Sequence, residues 1–275
     1  MADPHPEWLA GFSAGLLQAA QTYHCPLIGG DTTGARGATV VAIQVFGYKP
    51  AHLQTLQRNL AVPGPGGVRK WQAGAGPGWA WLHAFEARGR LAELLSPEQT
   101  LLWRALQAKL PHAFTEQARL CLFRPAPPLS LAGRLGHYAS AGLDLSDGLA
   151  GDLAHLCTAS RVGVLLQGQA LLDALLEGFE PGFATSLSAE QQYFLLEQIL
   201  KGGDDYELCF TLDAQHQARL AHDAHDCHSR VNCVGHVVGS ANVGSSKPGA
   251  VQCEFRARLV PVPASFNHFS GAVTS

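Results

Sequence analysis

Apolar positions along the chain fall into two periods. Between Pro6 and Tyr23, Trp8, Phe12, Leu16 and Ala20 recur every four residues with Leu9 beside them, the spacing of an amphipathic helix. Cys25 to Ile28 is a short apolar run that ends in Gly29-Gly30. Ala38 to Tyr48, rich in Val and Ile, predicts a strand. Ser96-Pro97-Glu98-Gln99 predicts a helix start, because Ser caps, Pro suits the first turn and Gln completes a capping box. That helix is expected to run to about Leu110. The Pro-rich stretch Arg124-Pro125-Ala126-Pro127-Pro128 predicts a loop and a domain boundary.

Beyond the loop the two periods alternate. Gly142–Leu145 reads as the end of a strand, and Leu149–Ser160 as a helix with Leu149, Leu153, Leu156 and Cys157 inward. Val162–Leu166 reads as a strand, Ser188–Leu200 as a helix with a second capping box from Ser188 to Gln191, and Tyr206–Leu212 as a strand. Ala214–Asp223 follows as a helix, then Val231–Val238 and Val251–Phe255 as strands. Strands and helices mixed in this way, with hairpin-like neighbours, imply an α+β fold. No internal repeat is visible.

Composition narrows the function classes. The chain has 275 residues, 47% hydrophobic, enough to bury one large core or two smaller ones. Net charge is −3 without a basic run or stripe, so nucleic-acid binding has no support in composition. No apolar run reaches membrane-spanning length, and Met1 to Pro6 lacks the features of a secretory signal, so a cytoplasmic location is expected. The seven cysteines are odd in number and form no CxxC, which predicts buried, reduced thiols. His222, His225, Cys227, His228, Cys233 and His236 match no common zinc spacing, and a His-rich surface loop is the simpler reading.

Three short segments carry unusual chemistry. In Gly29-Gly30-Asp31-Thr32-Thr33, the glycines allow close approach of a phosphate and Asp31 offers a hard oxygen to magnesium, although such a segment also makes an ordinary turn. In Gly142-Leu143-Asp144-Leu145-Ser146-Asp147-Gly148-Leu149, strand alternation places Asp144 and Ser146 on one face, with Asp147 where the helix begins. Ser146 or Asp147 as a mere helix cap is the plain alternative. It leaves Asp144 on an apolar strand unexplained, whereas two carboxylates and a hydroxyl beside a helix start suit a metal–phosphate complex. In Gly202-Gly203-Asp204-Asp205-Tyr206-Glu207-Leu208, adjacent carboxylates repel one another, which favours cation binding; a solvated turn is the alternative.

Taken in order, these three segments resemble the thiamine-monophosphate kinases, of the superfamily that includes aminoimidazole ribonucleotide synthetase and selenophosphate synthetase. Gly151-Asp152-Leu153 after the second segment, Trp8-Leu9 and Phe12 before the first, Arg124-Pro125 with Pro127, and Phe266-Asn267-His268-Phe269 add to the resemblance, which covers most of 7–62 and 91–269. The resemblance implies a magnesium- and ATP-dependent enzyme that converts thiamine monophosphate to thiamine diphosphate and that pairs as a homodimer. It implies ATP contacts at Gly30, Asp31, Arg58 and Ser146, and magnesium on Asp31, Asp144 and Asp147. It places Asp204, where the family usually has Glu, and Phe266 near the thiamine phosphate. No general base is implied, because the attacking phosphate oxygen is already deprotonated.

It further implies two lobes: residues 1–126 as a partial N-terminal ATP-binding and dimerisation lobe, and 127–275 as a C-terminal layered α+β lobe. The N-terminal lobe is expected to be incomplete, since the family's Gly-Asp-Asp ligands have no counterpart ahead of the first helix. The stretch Gly64–Arg90 departs from the family; it holds three of the five tryptophans, seven glycines and a single acidic residue, Glu86. That break fits an out-of-frame translation better than a diverged insertion. On these grounds the chain alone is expected to be a poor catalyst. A non-catalytic nucleotide- or thiamine-phosphate-binding fragment, or another synthetase of the superfamily, are the alternatives.

Overall fold

A computed structural model describes residues 5–34, 36–64, 66–72, 95–126, 129–177, 179–180, 182–204, 206–239 and 249–263. Asp205, Phe266 and its neighbours, and 73–90 of the divergent stretch lie outside the described residues. The chain divides into two compact units, Met1–Pro50 and Ala51–Ser275.

The first unit opens with helix α1 (Pro6–Thr22), which has Pro at its start and Glu7 in its first turn, both suited to a helix N-terminus. The strand expected over Ala38–Tyr48 does not form: these residues run as irregular chain. A strand exists only when a neighbour takes up its amides and carbonyls, and no described strand pairs with this segment, whatever its Val and Ile content. Val45 and Phe46 are 72% and 77% exposed.

The second unit is built on a seven-stranded sheet. In chain order the strands are β1 (Gly67–Gln72), β2 (Ala139–Leu145), β3 (Val162–Gln167), β4 (Glu207–Leu212), β5 (Arg230–Gly239), β6 (Val251–Phe255) and β7 (Arg258–Val260). Their order across the sheet is β2-β4-β1-β5-β3-β6-β7. Every pairing is antiparallel except β3 with β6. Among the described strands, consecutive ones pair only at the β6–β7 hairpin, so the hairpin-like neighbours expected from the sequence give way there to long-range pairing. β1 comes from the stretch that departs from the family and lies between β4 and β5. A Cβ on Gly66, just before it, would stand 1.8 Å from the Leu212 carbonyl oxygen, so the entry to β1 needs glycine.

Helices cover both faces of the sheet. They are α2 (Pro97–Gln107), α3 (His112–Phe123), α4 (Leu129–Leu135), α5 (Leu149–Ser160), α6 (Gly168–Leu176), α7 (Phe183–Ser186), α8 (Ala189–Lys201) and α9 (Gln217–Asp226). Both predicted capping boxes form, Ser96 with Gln99 at α2 and Ser188 with Gln191 at α8. Trp103 and Leu106 of α2, Leu149 and Leu153 of α5, Leu171 of α6 and Phe194 of α8 pack into one core with Leu143, Leu145 and Cys209 of the sheet. Leu131 and Leu135 of α4 and Leu220 of α9 pack against Phe210 and Leu212 on the other face. Neighbours Cys209 and Phe210 thus enter opposite cores, as strand alternation requires.

Ala139 of β2 belongs to the second core but Ala141 to the first, and an irregularity in register between Ala139 and Gly142 accounts for the change of face. The Ala141 amide donates there to Thr211 Oγ1 at 3.1 Å.

Candidate functional site

The pairing of β2 with β4 brings two of the acidic segments together. Asp144 stands opposite Leu208 and Leu145 opposite Glu207 in an antiparallel register. The turn from β2 into α5 therefore lies beside the turn from α8 into β4. Two backbone bonds join them: the Asp204 amide donates to the Ser146 carbonyl at 2.9 Å, and the Tyr206 amide to the Leu145 carbonyl at 2.9 Å.

Glycines permit the contact. A Cβ on Gly203 would come 2.4 Å from the Ser146 oxygen. A Cβ on Gly148 would come 2.7 Å from the Lys201 oxygen, and Gly148 also has φ of +107°, where side chains are strained. Asp204 and Tyr206 both adopt left-handed φ, 62° and 50°, a conformation that Asp tolerates better than Tyr.

Alternation on β2 holds as expected. Leu143 and Leu145 are buried while Asp144 is exposed, and Ser146 beyond the strand end is half-buried. The cap reading of Ser146 and Asp147 fails, because the N-cap of α5 is Gly148 and no side chain caps it. Ser146 Oγ instead donates to Asp147 Oδ1 at 3.3 Å. The Tyr206 phenol donates to Asp204 Oδ1 at 3.1 Å. Its pKa is raised, by partial burial first and then by the negative charges of Asp204, Asp147 and Asp144, so all three carboxylates act on one phenol.

The structure adds a residue that none of the three acidic motifs marks. Asp152, in the first turn of α5, is only 4% exposed. Its Oδ2 accepts from the amides of Ser146 at 2.9 Å and Asp147 at 3.1 Å. Burial raises its pKa, the charges of Asp147 and Asp144 add to that, and the two amide bonds oppose it. The signal was in the spacing: Asp152 is three residues after Leu149 and four before Leu156, on the helix face that enters the core.

Gly30 and Asp31 belong to the first unit, are exposed, and Asp31 Oδ1 accepts from the Thr32 amide at 2.8 Å. The Arg58 carbonyl accepts from the Ser160 hydroxyl, which also accepts from the Ala61 amide at 3.0 Å. Ser160 ends α5, so the Arg58 backbone is held at the opposite end of that helix from Asp147, roughly 18 Å away for a helix of this length. Phe266 is outside the described residues.

The thiols vary more in exposure than expected. Cys157, Cys209 and Cys253 are buried, Cys121, Cys227 and Cys233 are intermediate, and Cys25 is exposed. All seven are free. Among the described residues no group of three His, Cys, Asp or Glu side chains has metal-binding geometry, and no helix is long and apolar enough to cross a membrane.

Residues 1–48 match the family described as AIR synthase related protein, N-terminal domain. The thiamine-monophosphate kinase of Salmonella typhimurium is 31% identical over 215 residues, 78% of this chain and 56% of that protein. That of Escherichia coli K12 is 30% identical over 223 residues, 80% of this chain and 58% of that protein. The chain thus spans less than two thirds of the length of these relatives.

In fold it is similar to AaThiL complexed with AMPPCP and TMP, with a TM-score of 0.59 at 18% identity over 97% of this chain and 70% of that one. The crystal structure of thiamine-monophosphate kinase from Stenotrophomonas maltophilia K279a gives a TM-score of 0.52 at 24% identity over 74% of this chain and 54% of that one. By sequence the chain belongs to the thiamine-monophosphate kinase family, over the part of those proteins that it spans.

Proposed function

We propose that the chain acts in ATP-dependent phosphorylation of thiamine monophosphate to thiamine diphosphate, by magnesium-assisted in-line transfer. The observation that carries this reading is the bond from the Asp204 amide to the Ser146 carbonyl, which gathers the carboxylates of Asp144, Asp147 and Asp204 beside the start of α5 in a relative of such kinases. The complex of AaThiL with AMPPCP and TMP supports the same pair of ligands here.

The donor set fits magnesium. This ion takes one or two carboxylates and leaves its other positions to water and phosphate oxygens, so the lack of a three-ligand cluster among the described residues is compatible with it. Asp144 and Asp147 would hold the ion. Bound there, magnesium would neutralise phosphate charge that otherwise keeps the two substrates apart. On this reading the Ser146 hydroxyl contacts ATP; the family resemblance adds Gly30, Asp31 and Arg58 as nucleotide contacts and Asp31 as a metal ligand. Asp204 and Phe266 contact thiamine monophosphate. A phosphate nucleophile is already ionised, so these side chains orient and shield charge rather than move a proton. A cytoplasmic setting, where ATP and magnesium are at hand, and pairing as a homodimer belong to the same reading.

Turnover tests it. The chain is incubated with thiamine monophosphate, ATP and magnesium, and thiamine diphosphate is followed after oxidation to its fluorescent thiochrome. Slow formation that requires all three components is expected. Formation indifferent to magnesium, or no formation, overturns the reading.

A further inference from the structure

We infer that Asp152 is a positioning residue for this site, setting where the Ser146 hydroxyl and Asp147 carboxylate stand; the inference rests on the metal–nucleotide reading above. One oxygen of Asp152 accepts from two successive amides, those of Ser146 at 2.9 Å and Asp147 at 3.1 Å. The same turn is held from its other side, where the Asp204 amide donates to the Ser146 carbonyl at 2.9 Å. Ser146 is therefore gripped at both its amide and its carbonyl, and its side-chain direction follows from that grip.

The N-cap of α5 supplies no alternative hold, since Gly148 has no side chain to offer. Asp152 itself has little freedom. It is 4% exposed and rises from the first turn of α5 between Gly151 and Leu153, both buried. A carboxylate in that place is a costly way to hold a turn, because burial disfavours charge and Asp144 and Asp147 add like charge nearby. The arrangement makes physical sense if a cation shares the locality. An inner carboxylate would then fix the backbone that carries the outer ligands, as supporting residues commonly do around metal ions.

Manganese serves as the probe, because its bound fraction is read directly by electron paramagnetic resonance. The full chain is titrated with manganese in the presence of AMPPCP, as wild type and as D147N, D152A and D152N, each checked for folding by its thermal melt. D152A is expected to weaken manganese binding by about tenfold or more, and to speed hydrogen exchange of the Ser146 and Asp147 amides. D152N keeps an acceptor oxygen on the same stem and is expected to restore amide protection and most of the affinity. Wild-type affinity in folded D152A overturns the inference, as does D152N binding no better than D152A.

If D152A does not fold, D152E decides. It keeps the charge but moves it outward by a methylene, so weakened binding in a folded chain supports the inference and wild-type affinity overturns it. Wild-type affinity in D147N, or no binding by the wild type, sinks the metal–nucleotide reading and this inference together. Loss in D147N with none in D152A sinks this inference alone.

Discussion

The Asp204 amide and the Ser146 carbonyl meet at 2.9 Å, and this bond extends the pairing of β2 with β4 so that two acidic segments distant in sequence lie on one surface. The contact depends on bare backbone at Gly203, where a Cβ would stand 2.4 Å from the Ser146 oxygen. Gly203→Ala should therefore destabilise the chain by roughly 1–3 kcal/mol through overpacking, and should weaken nucleotide binding. Gly133→Ala is the control. Gly133 lies in α4, where an added Cβ meets nothing within 4 Å, and should gain about 0.5–1 kcal/mol from helix propensity. Urea denaturation of both variants checks the pair; equal stability in the two would show that the turns do not touch as described.

Tyr138 sets an alkaline limit on stability. Burial first, and then the charge of Asp223, push its phenol up to about 12 from 10.0. The raised value means that the fold favours the neutral phenol. Its contribution is fully present below pH 10, and is lost as pH rises through the window from about 10 to about 12. Thermal melts from pH 9 upward should fall more steeply for wild type than for Tyr138→Phe across that window. Parallel curves would contradict the assignment.

Thiol reactivity should follow burial. A disulfide reagent at mildly alkaline pH should modify Cys25 first, because it is exposed, and Cys157, Cys209 and Cys253 only on unfolding. Burial also pushes the thiols of Cys157 and Cys253 up to about 12 and about 11, which removes the reactive thiolate. Mass spectrometry of partially labelled chain reads the order. Early labelling of Cys157 would contradict the core around α5.

The exposed segment 38–48 should drive self-association. Val40, Ile43, Val45 and Phe46 are each more than half exposed on chain whose backbone pairs with no described strand. Such a segment invites edge-to-edge pairing, and placing charge on it blocks that. Sedimentation velocity should show mass rising with concentration for wild type, and less so for a variant carrying Ile43→Lys and Val45→Lys. Identical profiles would show that the association arises elsewhere.

Local signals made part of this fold legible. The boxes at Ser96 and Ser188 announce α2 and α8 because every participant lies within four residues. α6 announces itself poorly because it follows β3 without a break: Gln167 does not cap it with its side chain, and Gly168 opens it. α3 likewise starts after Pro111 with no side-chain cap. β1 was hidden for a different reason. Its identity lies in its pairing with β4 and β5, more than a hundred residues away, while its own surroundings are rich in glycine. The same cause worked in reverse over Ala38–Tyr48, where strand-like residues lack a partner.

At the site, the motif spelling was enough to single out Asp144, Ser146, Asp147 and Asp204. Their joining through β2 and β4 needed the register. Asp152 acts through two backbone amides, which no side-chain pattern advertises.

Asp144, Ser146, Asp147 and Asp204 are proposed to build a surface that holds a magnesium–nucleotide complex. Isothermal titration of the chain with AMPPCP in the presence of magnesium tests it most directly, comparing wild type with Asp144→Asn and Asp147→Asn of unchanged circular dichroism. Magnesium-dependent binding by the wild type is expected, weakened at least about tenfold in each variant. Undiminished affinity in both variants, or binding by the wild type that ignores magnesium, would contradict it.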